Sequence, residues 1–147
     1  EDNSIVEILL SHVLEHIGQN PDVFNNIIKE LYRICKNNSI VDIRVTHPRH
    51  DDFISDPTHV RPITILCLQL YDKSLNERWE KMNAANTPLA LIHGVNFNIK
   101  DVKYVLEDNY IKLLESKEID QNELQEYIKK YNNVVKEMKI KWVALKD

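Results

Sequence analysis

The sequence predicts an α/β fold, and three observations carry that expectation. Residues 4–11 (SIVEILLS) form a short, nearly continuous apolar run, the pattern of a strand covered on both faces. Asn20-Pro21 then opens a segment in which Phe24, Ile27, Ile28, Leu31 and Cys35 recur at helical spacing. Asn is placed there to cap the first turn, and Pro sits where its missing amide costs nothing. Residues 40–45 alternate, Val41, Ile43 and Val45 on one side against Ile40, Asp42 and Arg44 on the other, as a strand does. A strand, a helix and a strand in so short a span make a right-handed crossover, so the two strands are expected to run parallel.

The other elements follow in order. Asn37-Asn38 should end the first helix, because Asn tolerates a left-handed turn. Residues 63–83 read as a helix bearing Leu66, Leu70, Leu75 and Trp79, with a break between Asp72 and Asn76 and a stop at Pro88. Residues 89–106 read as strand: Val95, Phe97 and Ile99 alternate before Lys100-Asp101, and Val102, Tyr104 and Leu106 after it, which places a kink or turn at that pair. A short helix at 108–116 comes next. A longer one, capped by Asp120 and running to about 135, carries Leu124, Ile128, Tyr131 and Val135 on its buried side. A strand at 139–145 closes the chain. No internal repeat or low-complexity linker divides the 147 residues, so 1–147 reads as one domain.

Composition narrows the function. A net charge of −4 with no basic stripe predicts no nucleic-acid partner, since phosphate binding rests on clustered Lys and Arg. Apolar runs such as Ile8-Leu9-Leu10 fall far short of the roughly 20 residues that span a bilayer, so no membrane partner is expected. The opening residues do not read as a signal peptide, so none is expected. Cys35 and Cys67 each sit inside an apolar helical pattern, which predicts buried free thiols in a reducing compartment and hence a cytoplasmic protein. The opening on Glu1, directly before a strand-like run, reads as the start of a fragment.

The densest chemistry lies at residues 46–64, THPRHDDFISDPTHVRPIT. Three of the six histidines and three of the five prolines fall in this run, which has neither helical nor strand periodicity. Proline fixes φ, and Asp and Thr satisfy local backbone groups, so such a stretch can hold an irregular shape. Long irregular loops in compact domains are usually functional. This one begins at the carboxyl end of the second strand, where open α/β sheets bind ligands.

Two metal-like patterns are visible. His12-Val13-Leu14-Glu15-His16 fits the H-x-x-E-H spacing of inverted zinc peptidases, but that chemistry needs an established helix, and Gly18 and Pro21 leave room for little more than a turn. His47, His50, Asp51 and Asp52, with His59 downstream, supply ligand-type side chains. The plainer reading has Asp51, Asp52 and Asp56 making turn and cap hydrogen bonds and pairing with Arg49 and Arg61. A functional loop without a metal is the expectation. Asp42 and Arg44 put charge on one side of an interior strand, where it must pair or face a hydrated flank. The mixed charges from Glu115 to Lys141 read as a solvated helical face.

The run SHVLEHI, the Pro-initiated helix after it and KELYRICKNNSIVDIRVTHP resemble the second half of a class I S-adenosylmethionine-dependent methyltransferase, its fourth strand, following helix and fifth strand. DPTHVRPIT at 56–64 resembles a D-P-x-H-x-R-P element of bacterial small-molecule and sugar-type methyltransferases. The likeness is good over about the first 65 residues and weaker beyond. It implies a partial Rossmann-like methyltransferase sheet with strands 4-5-7-6, mostly parallel with one antiparallel strand and flanked by helices. It implies S-adenosylmethionine as cofactor and transfer to an oxygen or nitrogen of a small polar or sugar-like acceptor. It does not bring the Gly-rich donor turn, for which Gly18 and Gly94, the two glycines present, are misplaced, so this chain alone is expected to be inactive.

On that resemblance, His47, His50 or His59 would be the base for the acceptor. Asp56, Arg61 and Arg49 would shape the acceptor pocket, and Ser11 and His12 would line the cleft beside the cofactor. The edge of the strand at 5–10, deprived of a neighbour, would pair with another chain, as in a homo-oligomer. The rival readings are a non-catalytic α/β module that binds a ligand or partner through the loop, and a metal-dependent enzyme using the His/Asp loop.

Overall fold

The computed structural model describes residues 1–146. β1 (Ile5–Ser11) leads through a turn to α1 (Pro21–Ile34), which returns to β2 (Cys35–Thr46). Asn20 accepts from the Asp22 amide at the head of α1, with Pro21 following. The crossover pairs β1 with β2 in parallel, Ile8 opposite Val41 and Leu10 opposite Ile43. Asn37 and Asn38 do not end the helix. They belong to an excursion of β2 between the pairs Ile5–Cys35 and Glu7–Ile40, with Asn38 at φ 66° and Ser39 Oγ donating to the Ile5 carbonyl at 2.6 Å. Cys35 is therefore a buried strand residue.

The loop after β2 contains a five-residue helix, α2 (Asp51–Ser55). The expected long helix divides into α3 (Ile65–Gln69) and α4 (Lys73–Lys81), because Asp72 leaves helical geometry and caps α4 by accepting from the Leu75 amide. Residues 89–93 are helical, not strand: α5 (Leu89–His93) ends on Gly94 in the left-handed region. β3 (Phe97–Leu106) passes through Lys100 and Asp101 with a shift of register instead of a turn. α6 (Asp108–Glu115) and α7 (Gln121–Lys130) follow, α7 opened by a capping box between Asp120 and Glu123. α7 stops at Tyr131, earlier than its apolar spacing implied, because Val134 and Val135 are drawn into β4 (Val135–Ala144) and the layer beneath it.

The strand order is β1-β2-β4-β3. β4 is antiparallel to both neighbours, so β1, β2 and β3 run one way and β4 the other. This is the 4-5-7-6 half-sheet expected above.

One face of the sheet is the core. Val41, Ile43 and Val45 lie beside Trp142, Ile140 and Met138 on β4, all nearly inaccessible, and Phe24 and Ile28 of α1 and Leu68 of α3 close over them. Phe97 stacks on Trp142 with centroids 3.9 Å apart, and Tyr71 meets Trp142 edge-on. On the other face Lys141 stands between Asp42 and Asp101, and Lys139 between Arg44 and Lys103. The cations of the second row lean on acids: Arg44 on Asp42 at 3.7 Å and Lys103 on Asp101 at 3.8 Å. Asp42, itself buried, is thus paired across the sheet with Lys141 and along β2 with Arg44.

β1 departs from the double covering its apolar run predicted. It is an edge strand, and Val6 and Leu9 are 65% and 56% exposed. No helix among the described residues is long and apolar enough to cross a membrane.

Candidate functional site

The carboxyl ends of β1 and β2 lie side by side, and the chain leaving each one turns sharply. After Ser11, which is exposed at the end of β1, His12 enters the left-handed region at φ 52°, an uncommon conformation for a residue with a Cβ. That twist ends the strand and starts the turn 12–17. Residues 46–64 fold back on this turn, and the Val60 amide donates to the Glu15 carbonyl at 2.8 Å.

Glu15 is the buried centre, fully inaccessible to solvent. Its Oε1 accepts from the Thr46 amide at 3.3 Å and lies 3.2 Å from His12 Nδ1. Its Oε2 is buried without a hydrogen-bond partner. His12 also reaches across the sheet end, its Nε2 2.9 Å from Glu137 Oε2. At 45% exposure, His12 is the open member of a histidine held between two carboxylates.

The three loop histidines point to three different places. His47 Nδ1 accepts from the Arg49 amide at 3.2 Å, and its ring meets Tyr104 edge-on. Burial, followed by the charges of Arg49 and His50, lowers its pKa from the ordinary value. His50 caps α2, accepting at Nδ1 from the Asp52 amide and donating from Nε2 to Glu107 Oε1 at 2.7 Å. Both its nitrogens are committed. His59 stacks on Phe53 and donates from Nδ1 to the Phe53 carbonyl at 2.8 Å, which leaves Nε2 with its lone pair. His59 also lies against His16, centroids 4.6 Å apart.

Asp56, Arg61 and Arg49 hold the loop's shape. Asp56 accepts from the hydroxyl and amide of Thr58, and that hydroxyl bond in particular lowers its pKa. Arg61 lies over the Phe24 ring at 4.3 Å and donates to the Gly18 carbonyl at 2.6 Å. Arg49 spends its guanidinium on the carbonyls of Lys129 and Tyr131 and the side chain of Asn132, capping the end of α7.

Sequence reasoning passed over Glu15 as a site residue, although H-x-x-E-H contains it. Its burial is visible only once 46–64 folds over the turn. Glu107 and Glu137 left no signal, since each is one acid among many on a charged stretch.

S-adenosylmethionine does not fit the described residues alone. Close approach of a backbone to a nucleotide needs glycine at the turn. A Cβ on Gly18 would stand 2.7 Å from the Phe24 backbone, so that glycine is spent on packing α1, and Gly94 caps α5. A hollow of about 620 Å³ lies at the opposite end of the sheet between α1, α5 and Lys146. Its Arg33 is already paired with Asp2 and Glu30.

No protein-family model matches the sequence, and no curated protein matches it. Solved structures do match the fold. An S-adenosylmethionine-dependent methyltransferase from Archaeoglobus fulgidus superposes with a TM-score of 0.59 at 18% identity, covering 97% of this chain and 60% of that one. The YcgJ protein from Bacillus subtilis gives a TM-score of 0.48 at 11% identity, covering 99% of this chain and 66% of that one. The chain has a class I methyltransferase-like fold, and it spans 60% of the length of the archaeal protein.

Proposed function

We propose that this chain is the acceptor side of an S-adenosylmethionine-dependent methyltransferase that acts on an oxygen or nitrogen of a small polar or sugar-like molecule. The observation that carries the reading is the arrangement at the carboxyl ends of β1 and β2. The half-sheet β1-β2-β4-β3 ends there in an exposed histidine with carboxylates on both its nitrogens. In this reading the methyl donor is held by polypeptide that carries the glycine-rich turn, which these residues lack.

Within the chain, the proton-accepting role moves from the loop histidines to His12. The side chains of His50 and His59 are only 7% and 6% exposed against 45% for His12, and His47 has given its lone pair to the Arg49 amide. Glu15 Oε1 orients the Nδ1–H of His12 and stabilises the imidazolium formed when Nε2 takes a proton. The Glu137 carboxylate, 2.9 Å from Nε2, occupies the place of the acceptor's polar atom and must swing aside before Nε2 takes the proton.

The test compares two proteins. Calorimetry of this chain with S-adenosylmethionine is expected to show no tight binding. The chain joined to the segment that its own coding sequence places upstream is expected to bind the cofactor and to release S-adenosylhomocysteine with hydroxyl- or amine-bearing acceptors. His12→Ala in that longer protein should lower kcat by on the order of 100-fold or more. Cofactor binding without turnover on any acceptor would favour a ligand-binding module, and an upstream segment without a strand, a glycine-rich turn and a following acid would sink the reading.

A further inference from the structure

The turn after β1 and the loop 46–64 meet at three side chains that have one feature in common: each keeps a ligand atom out of the hydrogen-bond network. Glu15 Oε2 is buried with no partner, which is costly for a carboxylate unless something supplies positive charge. His59 gives its Nδ1–H to the Phe53 carbonyl, and its Nε2 stands 3.9 Å from Asp56 Oδ2, beyond hydrogen-bond distance. His16 gives its Nδ1–H to the Thr58 carbonyl at 3.3 Å and the Thr58 hydroxyl at 3.0 Å. That hydroxyl must accept, because its own proton goes to Asp56 Oδ1 at 2.6 Å. Both imidazoles therefore present Nε2 as a lone pair, fixed by an oxygen acceptor on the other nitrogen, which is how metal-ligating histidines are held.

One ligand atom from each of Glu15, His16 and His59 lies within 4.8 Å of the other two. Drawing those atoms in to the roughly 3.4 Å separation of tetrahedral ligands with bonds of about 2.0–2.2 Å takes a side-chain rotation at each residue. We propose that these residues bind one divalent first-row transition ion of the zinc class, two imidazole nitrogens and one carboxylate oxygen leaving a further position for water. The site is assembled from two segments far apart in sequence, so the ion staples the loop 46–64 onto the turn after β1. Glu15 then serves both of its oxygens, Oε2 on the ion and Oε1 on the Thr46 amide and His12.

This arrangement splits both metal-like patterns of the sequence. His12-x-x-Glu15-His16 contributes Glu15 and His16 while His12 turns to Glu137, and the loop contributes only His59. The proposal stands on this geometry and does not depend on methyl transfer.

The test uses the tag-free chain, stripped by chelator and titrated with Zn²⁺ and with Co²⁺, whose visible ligand-field bands report coordination. The expected result is one ion per chain at micromolar affinity or tighter. His59→Ala and Glu15→Gln should each weaken it by on the order of 100-fold, while His47→Ala, outside the cluster, should not change it. Should His59→Ala fail to fold, His16→Gln, at the partly exposed member, gives the same reading. Absence of binding by the wild type, or affinity unchanged in these cluster variants, or loss with His47→Ala alone, would overturn the proposal. Because the readout is metal binding, its failure leaves the methyl-transfer reading standing, and the reverse holds.

Discussion

His50 Nε2 donates to Glu107 Oε1 at 2.7 Å, joining the loop after β2 to the residue at the N-cap position of α6. The two are 57 positions apart in sequence, and the same imidazole caps α2 through Nδ1. His50 is thus a two-sided strut between the loop and the far side of the sheet. His50→Ala removes a helix cap and leaves the Glu107 carboxylate short of a donor, a combined cost of about 2 kcal/mol. Glu107→Gln keeps an acceptor for Nε2–H and should cost less than about 1 kcal/mol. Urea denaturation gives both values, and limited proteolysis should cut His50→Ala first within residues 51–60. Equal costs for the two variants would show that the contact with Glu107, and not the cap, carries the stability.

The two glycines separate conformational from steric cost. Gly18 and Gly94 have nearly the same positive φ, 67° and 63°. A Cβ on Gly94 meets nothing within 4 Å, whereas one on Gly18 would collide with the backbone of Phe24 at 2.7 Å. Gly94→Ala should therefore cost about 1 kcal/mol, the left-handed penalty alone. Gly18→Ala adds displacement of the first turn of α1 from the core and should cost about 2–4 kcal/mol. Similar losses in both would mean that the turn before α1 yields easily, contrary to its packing.

The sheet was legible in the sequence because its signals are local. Asn20-Pro21 announces a helix by its own cap chemistry, and Val41, Ile43 and Val45 announce a strand by alternation. The misreadings fall where a distant partner decides. Residues 89–93 are apolar enough for a strand, yet the Ala90 amide bonds the Leu70 carbonyl and the side chain of Asn76, which fixes a helical turn. The apolar run of β1 suits a covered strand, but only β2 pairs with it among the described residues. The site was legible as a region and not as a constellation. The loop histidines share composition, but Tyr104, Glu107 and Phe53 draw them to three separate neighbourhoods, and none of those partners lies at a spacing that the sequence could reveal.

His47 makes stability depend on pH in a calculable direction. Burial, with the charges of Arg49 and His50 behind it, lowers its pKa in the fold from the ordinary 6.5, while the unfolded chain retains about that ordinary value. As pH falls through 6.5 the unfolded state takes up the proton first. His47 therefore imposes no penalty above that pH, and its penalty grows below it until the folded pKa is reached. His47→Asn keeps an acceptor for the Arg49 amide and removes the titration. The stability of the wild type relative to this variant should be constant above about pH 7 and decline below about 6.5. A difference that stays flat down to about pH 5 would show that His47 titrates normally.

The free edge of β1 carries the remaining prediction. The strand presents its outer backbone groups unpaired, with Val6 and Leu9 exposed beside them, and an apolar edge of this kind invites another strand. In the proposed enzyme the donor-holding polypeptide fills that position. The chain by itself has no such strand among its described residues and is expected to pair with a second copy. Light scattering coupled to size exclusion should find a concentration-dependent dimer. The double variant Val6→Lys, Leu9→Lys should be monomeric with unchanged circular dichroism, because charge on an edge strand opposes pairing without touching the core at Ile8 and Leu10. A wild-type chain that stays monomeric at every concentration tested would mean that the edge is tolerated bare.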